Sequence, residues 1–386
     1  MSEYQYVAFR AIDRPVSKEN LKFMQGQSSR AKITPWSFTN EYHYGDFHGN
    51  ALEMLRRGYD LYLHYANYGI RRLLIRLPHG FPNHAAAKPY LIDPSLEFVK
   101  DKTGDGGTLA IEPMDESGNL EQLWNVQEWI ERLVPLRAEI LSGDLRPLYL
   151  ANLAVSCDSN HDPEKTVEAP VPAGLSDPTD AQLALAELYG ISRALISSTA
   201  ENMPAAPPEV DPRARYVEWL RRQSETVKNN WLADLMTDAN SPIHGELLTE
   251  FRKVNRTQIW PAIASKRTIA QLQAAAEKIQ QAMSKKATAA AARNRANKLA
   301  KMADDPASYL HQVEQHIAER TIESYGKASK LLADLRESLA DGDQAKMADM
   351  EARKLHNKNP KLHLLTAALR RDGFLPKQLK KARKGP

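Results

Sequence analysis

A chain of 386 residues with 42% hydrophobic and 26% charged side chains has the composition of a globular protein of two or three domains, which excludes a hormone-sized peptide, a collagen-like fibre and a wholly disordered chain. The lone Cys157 cannot form an internal disulfide, no run of about 18 apolar residues is present to span a bilayer, and charged side chains interrupt the first 25 residues where a signal peptide needs an apolar core. The expected compartment is the cytoplasm, with no membrane partner. The net charge of +4 conceals segregation, because residues 101–180 hold 5 basic against 16 acidic side chains, residues 261–302 hold 9 against Glu277 alone, and residues 353–386 hold 11 against Asp372 alone. Such basic blocks attract nucleic acid or an acidic protein, or are neutralised within the chain.

The chain opens with a strand pattern over residues 4–12, ended at Asp13-Arg14-Pro15, where proline removes a ladder donor. Ser17 is placed to cap a short helix carrying Leu21 and Met24 that fades at Gly26. Residues 31–34 and 36–44 read as a hairpin, the second strand alternating Trp36, Phe38, Tyr42 and Tyr44 with Ser37, Thr39, Glu41 and His43. Leu52, Leu55, Tyr59, Tyr62 and Ala66 recur at helical spacing up to Gly69, which predicts one helix over residues 52–66. Leu73, Ile75 and Leu77 give a further strand with Arg72 and Arg76 on its other side, and residues 108–112 a weaker one. The fold class is α+β, with an N-terminal mixed or antiparallel sheet whose strand, helix, strand, strand, helix, strand order is ferredoxin-like. Helices are expected at residues 124–141 and 145–155, the second an apolar run that a buried strand would also fit, which completes an α+β domain over 1–157.

Residues 158–178 lack apolar periodicity and read as a linker with polyproline character at Pro170-Val171-Pro172. From 179 to 375 the chain is expected to be helical. Two short helices break at Gly190, a proline-rich spacer follows at 204–212, and helices over 216–236 and 243–253 are expected to pack. Thr268 and Gln271 form a capping-box pattern that opens a long basic helix over about 269–302 with only a thin apolar stripe. Asp305-Pro306 starts the next helix, Tyr325, Leu332 and Leu335 line another, Met347, Met350 and Leu355 form a partner stripe, and Asn359-Pro360 starts the last, in an α-hairpin array. Residues 376–386 are a basic tail.

The runs Glu3-Tyr4-Gln5-Tyr6, Phe9-Arg10-Ala11-Ile12-Asp13-Arg14-Pro15, Ser28-Ser29-Arg30-Ala31, Ile33-Thr34-Pro35 and Asn40-Glu41-Tyr42-His43-Tyr44-Gly45-Asp46-Phe47 resemble the opening of an uncharacterised bacterial protein family. The likeness continues through Ala66-Asn67, Arg71-Arg72-Leu73, Leu77-Pro78 and the helical end across residues 325–373. It implies a bacterial cytoplasmic origin and, since that family has no assigned activity, no catalytic residue.

Three functional readings follow from the residues themselves. The first is a non-enzymatic interaction or scaffold protein that docks a protein partner through its helical half, with no cofactor. The second is nucleic-acid binding, with Tyr6, Arg10, His43, Arg72 and Arg76 on an open sheet face and Lys285, Lys286, Arg293, Arg295 and Lys298 on the long helix, since aromatics stack on bases and cations neutralise phosphates. The third is metal-dependent hydrolysis by the 41–48 cluster, where Glu41, His43, Asp46 and His48 supply metal-ligand chemistry without a recognised spacing, so no metal centre is expected. Walker, G-x-S-x-G, H-E-x-x-H and paired C-x-x-C signatures are absent from the sequence, and Gly104-Asp105-Gly106-Gly107 reads as a turn.

Overall fold

The computed structural model describes residues 3–113, 123, 125–158, 160–200, 205–207, 212–237, 243–255, 260–340 and 346–376. The chain divides into two compact units, Met1–Gln280 and Gln281–Pro386. The first opens with β1 (Gln5–Arg10), α1 (Lys18–Gln25), β2 (Lys32–Ile33), β3 (Ser37–Tyr42), α2 (Ala51–Arg56) and β4 (Leu61–Ala66). Their spatial order is β2-β3-β1-β4 with every neighbouring pair antiparallel, and β5 (Arg71–Leu77), β6 (Leu96–Lys100) and β7 (Gly107–Ile111) extend the sheet as β5-β7-β6 to seven strands. The ferredoxin-like element order is present, but its fourth strand is residues 61–66 and not the 72–77 segment assigned from the sequence.

The expected helix over 52–66 is therefore half helix and half strand. Asn50 caps α2 by accepting from the Glu53 amide at 3.0 Å, and Gly58 then turns the chain at φ +140°, a conformation that side chains rarely adopt. Beyond it, Leu61, Leu63 and Tyr65 enter the core of one sheet face while Tyr62 enters that of the other. A strand buried on both faces carries apolar residues without alternation, so its spacing also fits a helix.

On one face Val7, Phe9, Phe38, Tyr62 and Leu74 share a core with Met24 of α1 and Met54 and Leu55 of α2, Phe9 lying 4.5 Å from the Tyr62 ring centre. After α3 (His84–Ala87), the helices α4 (Val126–Leu133), α5 (Pro135–Ser142) and α6 (Arg146–Ser156) cover the other face, packing Trp129, Ile130, Leu133 and Leu148 with Tyr6, Leu63, Leu73 and Ile75. Every residue of α6 is buried, which resolves the ambiguous apolar run at 145–155 as a core helix. Each such Leu contributes about 2 kcal/mol of burial.

Residues 158–178 are built into this unit instead of forming a linker. Ala169, Val171, Ala173 and Leu175 are buried, and β8 (Val171–Pro172) pairs with β9 (Ala262–Ile263). The segment is anchored by distant partners: the carboxylate of Glu168, a residue only 3% exposed, accepts from Tyr149, Ser265 and Arg267, and Tyr90 donates to the Pro170 carbonyl. α7 (Asp180–Leu188) and α8 (Arg193–Thr199) follow on either side of Gly190 as the sequence indicates. The stretch from 216 to 236 is two helices, α9 (Pro212–Arg221) and α10 (Glu225–Thr237), because Ser224 accepts from the Val227 amide and starts a new one; α11 (Ile243–Val254) is third.

α12 (Ile269–Asp304) runs 36 residues and begins at the expected capping box, with Thr268 and Gln271 exchanging amide contacts at 3.1 and 3.3 Å. In the second unit, Met302 of α12 shares a core with α13 (Pro306–Ala318), α14 (Ile322–Ser338), α15 (Met347–Lys358) and α16 (His363–Arg371), centred on Leu332, Leu335 and Leu369. Asp305 caps α13 as its pairing with Pro306 requires. α15 buries Ala348, Ala352 and Leu355 while Met350 is exposed, so its stripe is built of smaller residues than the methionines indicated. Among the described residues no helix is long and apolar enough to cross a membrane. Trp124 and most of the basic tail lie outside the described residues.

Candidate functional site

The 41–48 cluster does not converge. Glu41 accepts from Gln127 of α4 at 2.9 Å, and His43 is exposed with its ring 5.5 Å from Tyr4. Asp46 turns the other way, accepting from Gln5 Nε2 at 2.6 Å, while His48 is exposed. No group of three His, Cys, Asp or Glu side chains that would hold a metal occurs among the described residues.

Asp46 instead belongs to a relay that sequence reading missed. The Oε1 atom of Gln5 accepts from His64 Nε2 at 2.8 Å, so hydrogen bonds join Asp46, Gln5 and His64 in series, with Gln5 of β1 and His64 of β4 on one sheet face. That bond puts the proton of the neutral imidazole on Nε2 and leaves Nδ1 as the acceptor. Burial, followed by the neighbouring Arg72 guanidinium, holds His64 down at about 4 against a smaller opposing effect of Asp46. Gln5 at position 5 and His64 at position 64 share no local motif; only the antiparallel pairing of β1 with β4 joins them.

The proposed aromatic and basic sheet platform is divided between two faces. Tyr6 and Arg10 point to the α4 side, where Tyr6 is 4% exposed and Arg10 pairs with Glu131. Arg72 and Arg76 point to the opposite side, paired with Glu112 at 3.0 Å and with Asp101 at 2.5 Å. Strand alternation explains the split: Tyr6 lies level with Tyr65, whose other neighbour is Arg71 and not Arg72. The platform is closed, and those five residues do not form one surface.

The basic helix also separates into two groups. Arg295 reaches Asp334 and Glu337 of α14, at 3.1 and 2.5 Å, and Lys298 reaches Asp334 at 2.6 Å, so these two cations are used inside the second unit. Asp334 is held below the usual carboxylate range because both cations outweigh its burial. Lys285, Lys286 and Arg293 are exposed, and no ion pair joins them to an acidic residue among the described residues.

A second surface was not legible. Trp219 of α9 stacks on Trp231 of α10 with ring centres 5.5 Å apart, and Phe251 of α11 meets Trp219 edge-on at 5.7 Å. On that aromatic footing α10 buries none of its residues and holds Leu232 57%, Leu235 48% and Met236 88% exposed. Val227, Trp231, Leu232, Leu235 and Met236 span about half the helix circumference at 100° per residue, more than one aromatic contact can cover. The wide arc was the available signal. Glu225 and Lys228, at the N-terminal end of the same arc, pair with each other at 2.5 Å, and the exposed Asp234 flanks it.

Other buried charges are closed by internal partners. Arg137 donates to both oxygens of Asp13 and to the Arg76 carbonyl, and Arg146 forks onto Asp144, which also accepts from Gln182. Beside that cluster, a hollow bounded by Phe81, Asn83, Ile140, Leu148 and Trp260 has room for about one water molecule.

No family model, curated protein or solved structure matches this chain.

Proposed function

We propose that this chain is an interaction protein that binds another protein through α10. The observation that carries the reading is the uncovered apolar arc of a helix whose described residues include none that is buried. Exposed Leu and Met beside aromatic residues match the composition of protein interface centres, in which charged side chains are depleted. The internal pairing of Glu225 with Lys228 leaves burial as the main source of affinity, which selects a partner presenting its own apolar helix face. Hydrolysis at the 41–48 cluster receives no support from its dispersed geometry.

A photo-crosslinking residue placed at Met236 in the full chain, in its native cells, is expected to capture one dominant polypeptide other than a second copy of itself. The same group at Asn230, on the far side of the helix, is expected to capture none of it. Equal capture from both positions, capture of the chain alone, or no capture at all contradicts the reading.

A further inference from the structure

The geometry points to a second interaction surface, on α12: the stretch over residues 281–298 is a groove-binding helix for B-form duplex DNA, held without base-sequence preference by Lys285, Lys286 and Arg293. Three features place the charge outward. Every residue from 281 to 298 is exposed, over about 27 Å of helix at 1.5 Å per residue. From Lys278 to the residue before Asp304 the helix holds no acidic side chain, which excludes neutralisation along its own length. The inner cations Arg295 and Lys298 already have Asp334 and Glu337, whereas the three outer ones face solvent.

The arrangement of the outer side chains selects the polyanion. At 100° per residue, Ala282, Ala289 and Ala296 form a narrow strip, with Lys285 on one flank and Lys286 and Arg293 on the other. Small residues let the helix backbone approach a groove floor while long cations on both flanks reach the two phosphate rims. The major groove of B-form DNA, about 12 Å wide, admits a helix in this way, whereas the deep and narrow major groove of A-form RNA does not. Methyl side chains carry no donor or acceptor pattern to read bases, so phosphate contacts dominate and sequence preference is absent. The exposed stretch is stiffened for the task by seven alanines among its 18 residues, the strongest helix formers. Overall charge adds long-range attraction, since residues 281–386 carry 22 Lys and Arg against 12 Asp and Glu, while residues 1–280 carry 30 against 36.

The test is a fluorescence-anisotropy titration of the full-length protein with a random-sequence DNA duplex, across salt. The expected log–log salt slope has a magnitude of at least about 3, as release of counterions from three phosphates requires. The triple variant Lys285→Glu, Lys286→Glu, Arg293→Glu is expected to bind about 30-fold more weakly. A charge-matched control, Lys330→Glu, Lys346→Glu, Lys361→Glu, alters three exposed lysines elsewhere in the same unit and is expected to stay within about twofold of wild type. The inference is overturned if the two triple variants lose affinity equally or if no DNA binding occurs at low salt. It is also overturned if an RNA duplex or polyglutamate binds as tightly as DNA, which would make the surface a groove-blind cation patch or a site for acidic protein.

Discussion

His64 enters the fold as a neutral imidazole, because burial beside Arg72 holds it at about 4 while an unfolded histidine titrates near 6.5. Protonation therefore favours the unfolded chain. The stability this residue contributes is present in full above pH 6.5 and is lost as pH falls from there through 4, by about 3 kcal/mol at most. Urea unfolding of the first unit is expected to show a larger loss between pH 7 and pH 4.5 in wild type than in His64→Gln, which keeps a donor toward Gln5 but takes up no proton. Equal losses in the two proteins would show that His64 is not the titrating group. At this scale, caps were readable and long-range pairs were not. Ser17, Asp305 and Thr268 cap helices within three or four residues of themselves, so local pattern suffices. Asp13 and Arg137 meet across 124 positions in a pair that only the tertiary fold creates.

Among elements, the structure departs from local pattern where tertiary pairing decides the outcome. β4 lacks a clean two-residue alternation because it is buried on both sides, and Gly58 is a stronger boundary signal than the helical spacing around it. The 158–178 segment has the composition of a spacer yet is ordered, since its prolines and acids are anchored by Tyr90, Arg267 and the β9 edge, none of which lies near it in sequence. α12 was legible because an alanine-rich helix needs little tertiary support, whereas α10 was expected to pack and leaves its apolar residues outward. That exposure has a measurable consequence. The double variant Leu232→Glu, Met236→Glu is expected to change thermal stability by less than about 0.5 kcal/mol, since surface substitutions away from buried contacts are near neutral. A loss above about 2 kcal/mol by calorimetry would place those side chains in a core and remove the docking surface.

For the whole molecule, fold class was the property best encoded. An N-terminal antiparallel sheet followed by a mainly helical remainder was readable from the change of hydrophobic period along the chain. The division into units was not, because the first unit extends to residue 280 and the boundary falls inside α12, where no proline, glycine or polar spacer marks it. Each unit has its own core, with Met302, Leu332 and Leu369 in the second and none of these in the first. The proposed protein contact lies on α10 and the proposed DNA contact on α12. Hydrogen–deuterium exchange reads the α10 contact itself. Amides of residues 225–237 are to be compared in the purified chain and in its complex isolated from native cells. Strong added protection over α10 is expected in the complex, and unchanged exchange across α10 with protection appearing elsewhere would rule out α10 as the docking helix.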